Sequence, residues 1–420
     1  MAATMDTGLR RRLRRYAVVL GCMLLVKIGC FAVFAPRGSE IVHDRDREDV
    51  IERRDHLLAQ LFDAGPPTSP VLDDQFAGEW RIVTLSMTAL ATAQIAFAHP
   101  STRADAVRAT GRLAAVALRP DSRAFDTDQW RSDALAALDG DEDHIGYLAH
   151  LALVLGAHRV IGGTEHAALH HAIIDALVRR LQRAPRPLLF TYPGETYAMD
   201  NVALQAALGI AAVIEPAPAI DAERTRFVDY ARAHLLDPET GVMGFSVTHD
   251  GASPSRGSGA GWNSFYLPHV DVGFATEQWR AVERAFVVRV PPLFAAVREH
   301  RHGKDGPGDV DSGPVILGLS PAGTGFAVAG ARHSGDADLG SGLLATAELV
   351  GTSLSWQGRR RYVLAPDVGD AILLAMRTAR RFDQRFAPHR EGAQATPRGS
   401  DREGIETGSR PGAPGGRHGE

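Results

Sequence analysis

The chain has 420 residues, 45% of them hydrophobic, which suits one large helical domain with appendages better than one small domain. Its 46 basic and 50 acidic residues leave a net charge of −4, a balance that argues against a nucleic-acid surface, which would show a basic stripe on a fold element. Both cysteines, Cys22 and Cys30, fall in an N-terminal apolar run, so the remainder can hold neither a disulfide framework nor a cysteine-ligated metal.

Residues 1–15 form a basic segment containing Arg10, Arg11, Arg12, Arg14 and Arg15. The apolar run 16–35 follows, and roughly 20 residues at about 1.5 Å each just span a bilayer core of about 30 Å. Lys27 inside it costs about 2.5–3.5 kcal/mol if central, less if it snorkels to the interface. The arginines hold the N-terminus in the cytoplasm and send the rest of the chain across. A cleaved signal peptide is the rival reading, but Pro36 follows the best small-residue site at Ala35 and hinders cleavage. The expectation is an uncleaved, single-pass anchor in the cell membrane with the main domain outside the cytoplasm.

Residues 36–70 are highly charged and read as a stalk, a helix with one apolar stripe over Ser39–Phe62 followed by a break at Pro66-Pro67. The helical domain is expected over 71–387. Phe76–Ala98 is long and apolar, yet Glu79, Arg81 and Gln94 make it a buried inner helix rather than a second membrane span. An amphipathic helix over Arg103–Leu118 and a polar loop with Asp121, Asp126 and Asp128 come next. The alternation then recurs: apolar Ile145–Val160 with amphipathic Glu165–Leu181, and apolar Asp200–Ile214 with amphipathic Asp221–Leu235. Val270–Val288, Gly323–Arg332, Leu339–Leu349 and Val368–Phe382 supply further helices. Short ribbons are expected at Met243–Val247 and Val315–Leu319. From residue 388 to 420 no apolar period survives, and this stretch reads as a disordered tail. Repeated pairs of an apolar and a half-polar helix fit a ring of hairpins with inner helices buried and outer helices half-wet. The fold class is therefore mainly α, an (α/α)6-type helical toroid behind one N-terminal transmembrane helix, with short β ribbons in its loops.

Three segments resemble the six-hairpin (α/α) toroid enzymes: YPGETYAMDN (192–201), RGSGAGWNSFYLPHVDVGFATEQW (256–279) and DVDSGPVILGLSPAGTGFAVAGAR (309–332). That class holds glycosidases, polysaccharide lyases and the linalool dehydratase-isomerase type. IGYLAHLALVLGAHRVIGG (145–163) is similar to the last of these, a branch understood to use cysteines in its cleft. The corresponding loop here carries Tyr192 and Asp200 and no cysteine, so that branch's acid–base residues do not carry over.

Glycoside hydrolysis needs two carboxyl groups across a cleft, one protonated and one ionised. The catalytic candidates are Asp200, Glu195, Asp271 and Asp311, all on loops or loop–helix junctions; Asp309 neighbours the last. Each has a structural alternative. Asp200 and Asp271 could equally cap helices, Glu195 could be a water-exposed turn residue, and Asp311 could bond the backbone of its own Ser-Gly-Pro turn. The substrate-binding candidates are Tyr192, Tyr197, Asn201, Trp262, Tyr266 and His150, with Phe265 beside them. Aromatic faces stack on sugar rings, and these aromatics cluster with acids and glycines in segments read as loops, although each is also a plausible core residue and His150 lies on an apolar helix. The segment DEDH (141–144) reads mainly as the start of an inner helix. His166 and His170 have a metal-compatible spacing but no third ligand, and RGSGAG (256–261) follows no strand; neither a metal nor a cofactor is expected. The leading function is a membrane-anchored, outward-facing enzyme acting on a glycan or polyol by carboxylate chemistry. The alternatives are a dehydratase/isomerase-like lyase on a small alcohol and a non-catalytic envelope module that binds a glycan. The oligomeric state is left open.

Overall fold

The computed structural model describes residues 14–19, 21–23, 25, 38–63, 74–248, 251–291 and 294–383. Among them the protein is mainly helical with a few short strands. Most of the apolar run 16–35 and the whole of 388–420 lie outside the described residues; the described part of the run is helical and exposed, as at Tyr16 and Leu25.

Six inner helices build the core of the ring: α3 (Asp74–Ala98), α6 (Ile145–Val160), α8 (Ala198–Ile214), α10 (Gly257–Val270), α12 (Pro321–Ser334) and α14 (Asp367–Thr378). Among the described residues each packs on the next in that order, and α14 packs back on α3, so the circuit closes. Every residue of α10 is buried, and so is nearly every residue of α6. Their sequences are apolar all round because no face of an inner helix meets water. The outer helices are α2 (Arg47–Asp63), α4 (Arg103–Ala117), α7 (Ala167–Arg183), α9 (Pro218–His234), α11 (Val272–Phe286) and α13 (Ala337–Gly351). Each packs on an inner neighbour and is amphipathic, as in α7, where Ile173, Ile174, Leu177 and Leu181 form the buried stripe. Because each hairpin returns the chain to its starting end, the inner helices share a direction. Their N-termini lie at one mouth of the ring.

One helix among the described residues, Phe76–Ala98, is long and apolar enough to cross a membrane, but 89% of its most apolar window is buried inside the protein. It is an inner helix, as its polar residues indicate.

The structure departs from the sequence reading in four places. Residues 38–63, read as part of a stalk, are α1 (Gly38–Val42) and α2; α2 packs on α14 and α3 as the outer partner of the last hairpin. An ionic set holds it there: Arg377, 1% exposed, reaches Asp46 at 2.9 Å and Asp49 at 2.5 Å, and Arg53 reaches Asp49 at 3.2 Å and Glu348 at 3.2 Å. The polar loop after α4 contains a helix, α5 (Pro120–Trp130), whose buried Asp126 faces His144 at 2.7 Å. The glycine-rich segment from Gly257 is not a loop but the start of α10. A Cβ at Gly257 would stand 1.8 Å from the Arg298 carbonyl oxygen, and one at Gly261 would stand 2.8 Å from Phe326, so these glycines allow close packing rather than a turn. The segment Val270–Val288 is accordingly two elements, divided at Asp271.

The strands are confined to loops. β1 (Val247–Thr248) pairs with β2 (Gly251–Ala252). β3 (Val287–Val290), β4 (Phe294–Arg298) and β5 (Leu319–Ser320) form an antiparallel sheet in which Val287 faces Val297 and Val297 faces Ser320. β6 (Ser353–Trp356) and β7 (Arg359–Tyr362) make a hairpin between α13 and α14. The expected ribbons fall beside β1 and β5, displaced by a few residues; β3, β4 and the last hairpin lacked an apolar alternation of useful length.

Candidate active site

The loop before α8 is fastened by Asn201. Its side-chain oxygen accepts from Leu189 N at 2.8 Å, and its amide nitrogen donates to the carbonyls of Leu189 and Tyr197, both at 3.0 Å. Asn201 is fully buried, so it positions the loop and offers nothing to a substrate. Asp143 accepts from Phe190 N at 2.8 Å, and Trp130 Nε1 donates to the Thr191 carbonyl at 3.3 Å. A Pro-Gly turn then brings Glu195 N to the Tyr192 carbonyl at 2.9 Å, with Gly194 at φ +82°, a conformation that favours glycine.

This fixed loop presents four groups toward the mouth. Thr191 Oγ1 donates to Asp200 Oδ2 at 2.8 Å, Tyr192 Oη donates to Glu79 Oε2 at 2.9 Å, and Tyr197 Oη donates to Glu195 Oε2 at 3.0 Å. Asp200 is the third residue of α8 and its carboxylate bonds no backbone N–H, so it is not the helix cap. It sits deep in the protein while its side chain still meets solvent, as a cleft floor requires.

Asp309 and Asp311 divide their work. Asp309 Oδ1 accepts from the backbone of Asp311 at 3.1 Å and Ser312 at 3.0 Å, and its other oxygen pairs with Arg256. Arg256 in turn holds buried Glu299 at 2.6 Å. The turn-forming role that the sequence offered to Asp311 thus falls to Asp309, and the Asp311 carboxylate accepts no hydrogen bond from the described residues.

Glu79, Asp200 and Asp311 interact electrostatically. Burial, then the charge of Asp200, pushes Glu79 up to about 8, with smaller contributions from Asp311 and Glu195. Burial pushes Asp200 up to about 6 against the Thr191 hydrogen bond. Burial and the charges of Asp309 and Asp200 push Asp311 up to about 7. Asp309 goes the other way: despite burial, Arg256 and the turn amides hold it below the usual carboxylate range. Near neutrality the three raised groups therefore share protons, with Glu79 mainly protonated and Asp200 mainly ionised.

Asp200, Asp311 and Glu195 are thus brought together, and Asp271 is not. Asp271 caps α11, its Oδ1 accepting from Phe274 N at 2.6 Å, at the C-terminal end of α10 away from the mouth. It lines a separate cavity of about 700 Å³ with Arg224, His269 and Arg381. Several proposed binding faces are also closed. Tyr192 is 5% exposed and serves Glu79. Trp262 and Tyr266 are 3% and 0% exposed, with ring centroids 5.3 Å apart inside the ring. Phe265 is equally buried. His150 is buried beside Trp262, 2.8 Å from Ser86 Oγ, and burial pushes it down to about 4, so it is neutral at physiological pH. Tyr197 alone of these aromatics remains partly exposed, in edge contact with Phe245.

Glu79 is the residue that sequence reasoning missed as a site group. Its signal was present: a carboxylate in the first turns of an apolar inner helix, with no cation three or four residues away. Of the two histidines at metal-compatible spacing, His170 is buried against Arg159 at 2.9 Å, while His166 stands at the start of α7 with φ +65°.

No protein-family model matches the chain, and a search of curated proteins finds no match. Among solved structures the chain is similar to the unsaturated glucuronyl hydrolase from Bacillus sp. GL1, with 16% identity over 80% of this chain and 95% of that one and a TM-score of 0.47. It is also similar to a mutant of the unsaturated glucuronyl hydrolase from Streptococcus agalactiae, at 15% identity over 82% and 92% with a TM-score of 0.43. A family 105 glycoside hydrolase from C. acetobutylicum follows at 11% identity over 72% and 98%, with a TM-score of 0.35. These are six-hairpin toroid enzymes, the class that the sequence resembles. Likeness at this depth decides nothing about chemistry.

Proposed function

We propose that this protein is a membrane-anchored, outward-facing enzyme that acts on a glycan or related polyol by carboxylate acid–base chemistry. The observation that supports it best is the grouping of Glu79 at about 8 with Asp200 at about 6 at the mouth of the ring. Two carboxyl groups whose surroundings push them apart in acidity divide the roles of acid and base. Glu79 is the proton donor, poised by burial and the negative charge of Asp200. Asp200 is the base, oriented by Thr191. Asp311 shares the proton inventory and can bind a hydroxyl. Tyr197 and Glu195 form the solvent-facing lip, where a sugar ring can stack and hydrogen-bond. Residues 16–35 supply the membrane anchor.

The test is a product screen. The full chain is incubated with cell-envelope glycans, with Asp200→Asn as the paired control, and products are followed by mass spectrometry. A product made by the wild type and lost in the variant supports the reading. Turnover of a small alcohol with no glycan product would replace it with hydro-lyase or isomerase chemistry. Glycan retention by both forms without any product would make the cleft a binding site only.

A further inference from the structure

The hairpin of β6 and β7 turns one face to the protein and the other to solvent. Ser353 pairs with Tyr362, Leu354 with Arg361, Ser355 with Arg360 and Trp356 with Arg359. Directly opposed residues share a face and successive residues alternate. Ser353, Ser355, Arg360 and Tyr362 therefore occupy one face, and Leu354, Trp356, Arg359 and Arg361 the other.

The first face is spent on α2. Ser353 Oγ accepts from Arg53 at 2.6 Å, Ser355 Oγ donates to Glu52 at 3.0 Å, and Arg360 pairs with Asp49. Tyr362 is 1% exposed beneath the Arg53 guanidinium. No side-chain hydrogen bond or ion pair among the described residues engages the second face, although Arg359 and Arg361 lie near enough to His56 to act on it electrostatically. Trp356 is 71% exposed and Leu354 50%, and Leu364 just beyond the hairpin is 68% exposed. Arg359 and Arg361 are exposed and form no ion pair among the described residues.

We propose that this face rests on an anionic phospholipid bilayer, with Trp356 and Leu354 in the interfacial layer and Arg359 and Arg361 on lipid phosphates. An aromatic and an aliphatic side chain beside guanidinium groups without an ion pair match an interfacial segment in both polarity and charge. A sugar platform would use the tryptophan and arginines but gains little from an exposed leucine. A second copy docked symmetrically would set Arg359 and Arg361 against their own counterparts. The position also fits. The hairpin lies on Asp49, Glu52 and Arg53, in the first two turns of α2, a short stretch of chain after the apolar run 16–35. The inference rests on the proposed anchoring by that run and is independent of the carboxylate chemistry.

The test uses the full chain reconstituted into vesicles of phosphatidylcholine with or without phosphatidylglycerol, carrying a doxyl-labelled lipid in both leaflets. Tryptophan quenching is compared for the wild type, Trp356→Phe and Arg359→Gln/Arg361→Gln, with circular dichroism as the folding control. The wild type is expected to be quenched, with Trp356→Phe losing most of that quenching. The double arginine variant should lose about half of it or more in the anionic vesicles. Equal quenching of the wild type and Trp356→Phe, both floating with the vesicles, would overturn the hairpin contact and leave the anchor standing. Failure of the wild type to float would overturn both. A Trp356 emission change on adding envelope glycan, or a crosslinked dimer through the hairpin, in the absence of lipid quenching, would assign the face to another occupant.

Discussion

Tyr192 Oη donates to Glu79 Oε2 at 2.9 Å, joining the loop before α8 to the first turns of α3. This bond favours the ionised form of a carboxyl group that burial and the charge of Asp200 otherwise hold up to about 8. Glu79→Gln is expected to lower turnover by about 10²–10⁴-fold, the usual contribution of a positioned acid. Tyr192→Phe should spare most activity and shift the alkaline limb of the pH–rate profile upward, because removing the donor raises the acid further. A limb that stays in place or moves to lower pH would remove Glu79 from the proton-donor role.

The same crowding costs stability. Asp200 at about 6 and Asp311 at about 7 lie above the ordinary aspartate value of about 3.9, so the folded state binds more protons than the unfolded chain between those values. The contribution of these two groups to stability is therefore fullest below about pH 4 and declines as pH rises through the window from about 4 to 7. Asp311→Asn should stabilise the protein by about 1–2 kcal/mol at pH 8 and by almost nothing at pH 4. Denaturant midpoints at the two pH values check this. An equal effect at both would show that the charge is not responsible.

Asn201 satisfies both backbone groups of Leu189 and the Tyr197 carbonyl from a fully buried side chain. Asn201→Ala leaves those groups without partners and is expected to cost about 2–4 kcal/mol. It should also loosen the loop that bears Thr191, Tyr192 and Glu195, so limited proteolysis between residues 188 and 197 should quicken and turnover should fall. Unchanged cleavage rates would mean that the loop holds without this fastening.

The ring was legible because burial leaves a strong imprint on helices. An inner helix such as Ile145–Val160 can be apolar on every face, while α7 must keep a wet one. Gly257–Val270 escaped this reading since Gly257, Gly259 and Gly261 suggest a loop, whereas close packing against Arg298, Phe245 and Phe326 is what excludes larger side chains. Asp200, Asp311 and Glu195 could be located from their loops, but their sequence contexts could not distinguish them from Asp271, which caps a helix at the other end of α10. Capping and catalysis ask for the same residue type at the same kind of junction. The aromatic residues failed for a related reason: Trp262 and Tyr266 follow glycines that belong to the core, so loop platforms became buried rings.

Gly209 on α8 sets the approach of that helix to the end of α10. A Cβ there would lie 1.9 Å from the His269 carbonyl oxygen, a backbone atom that cannot turn aside. Gly209→Ala is expected to destabilise the protein by about 1–3 kcal/mol despite alanine's better helix propensity. A gain in thermal midpoint would show that the two helices can part without cost.

Closure of the ring depends on charges as well as apolar packing. Arg377 on α14 meets Asp46 and Asp49, which tie the start of α2 to the last inner helix. Burial alone would raise Asp49, but Arg377 and Arg53 hold it well below the usual carboxylate range. Its folded pKa is depressed, so its contribution is present above the unfolded value of about 3.9 and is lost as pH falls through the lower folded value. Arg377→Met should cost about 3–5 kcal/mol at pH 7, because two half-buried aspartates lose their buried cation. The penalty should shrink toward pH 3, where protonation of Asp49 begins to relieve the loss of its cation. Hydrogen exchange should show the opening first in α2 and α14 if the pair acts as the closure. A penalty that is the same at pH 7 and pH 3 would assign the loss to packing of the Arg377 stem, and the ionic account of closure would fall.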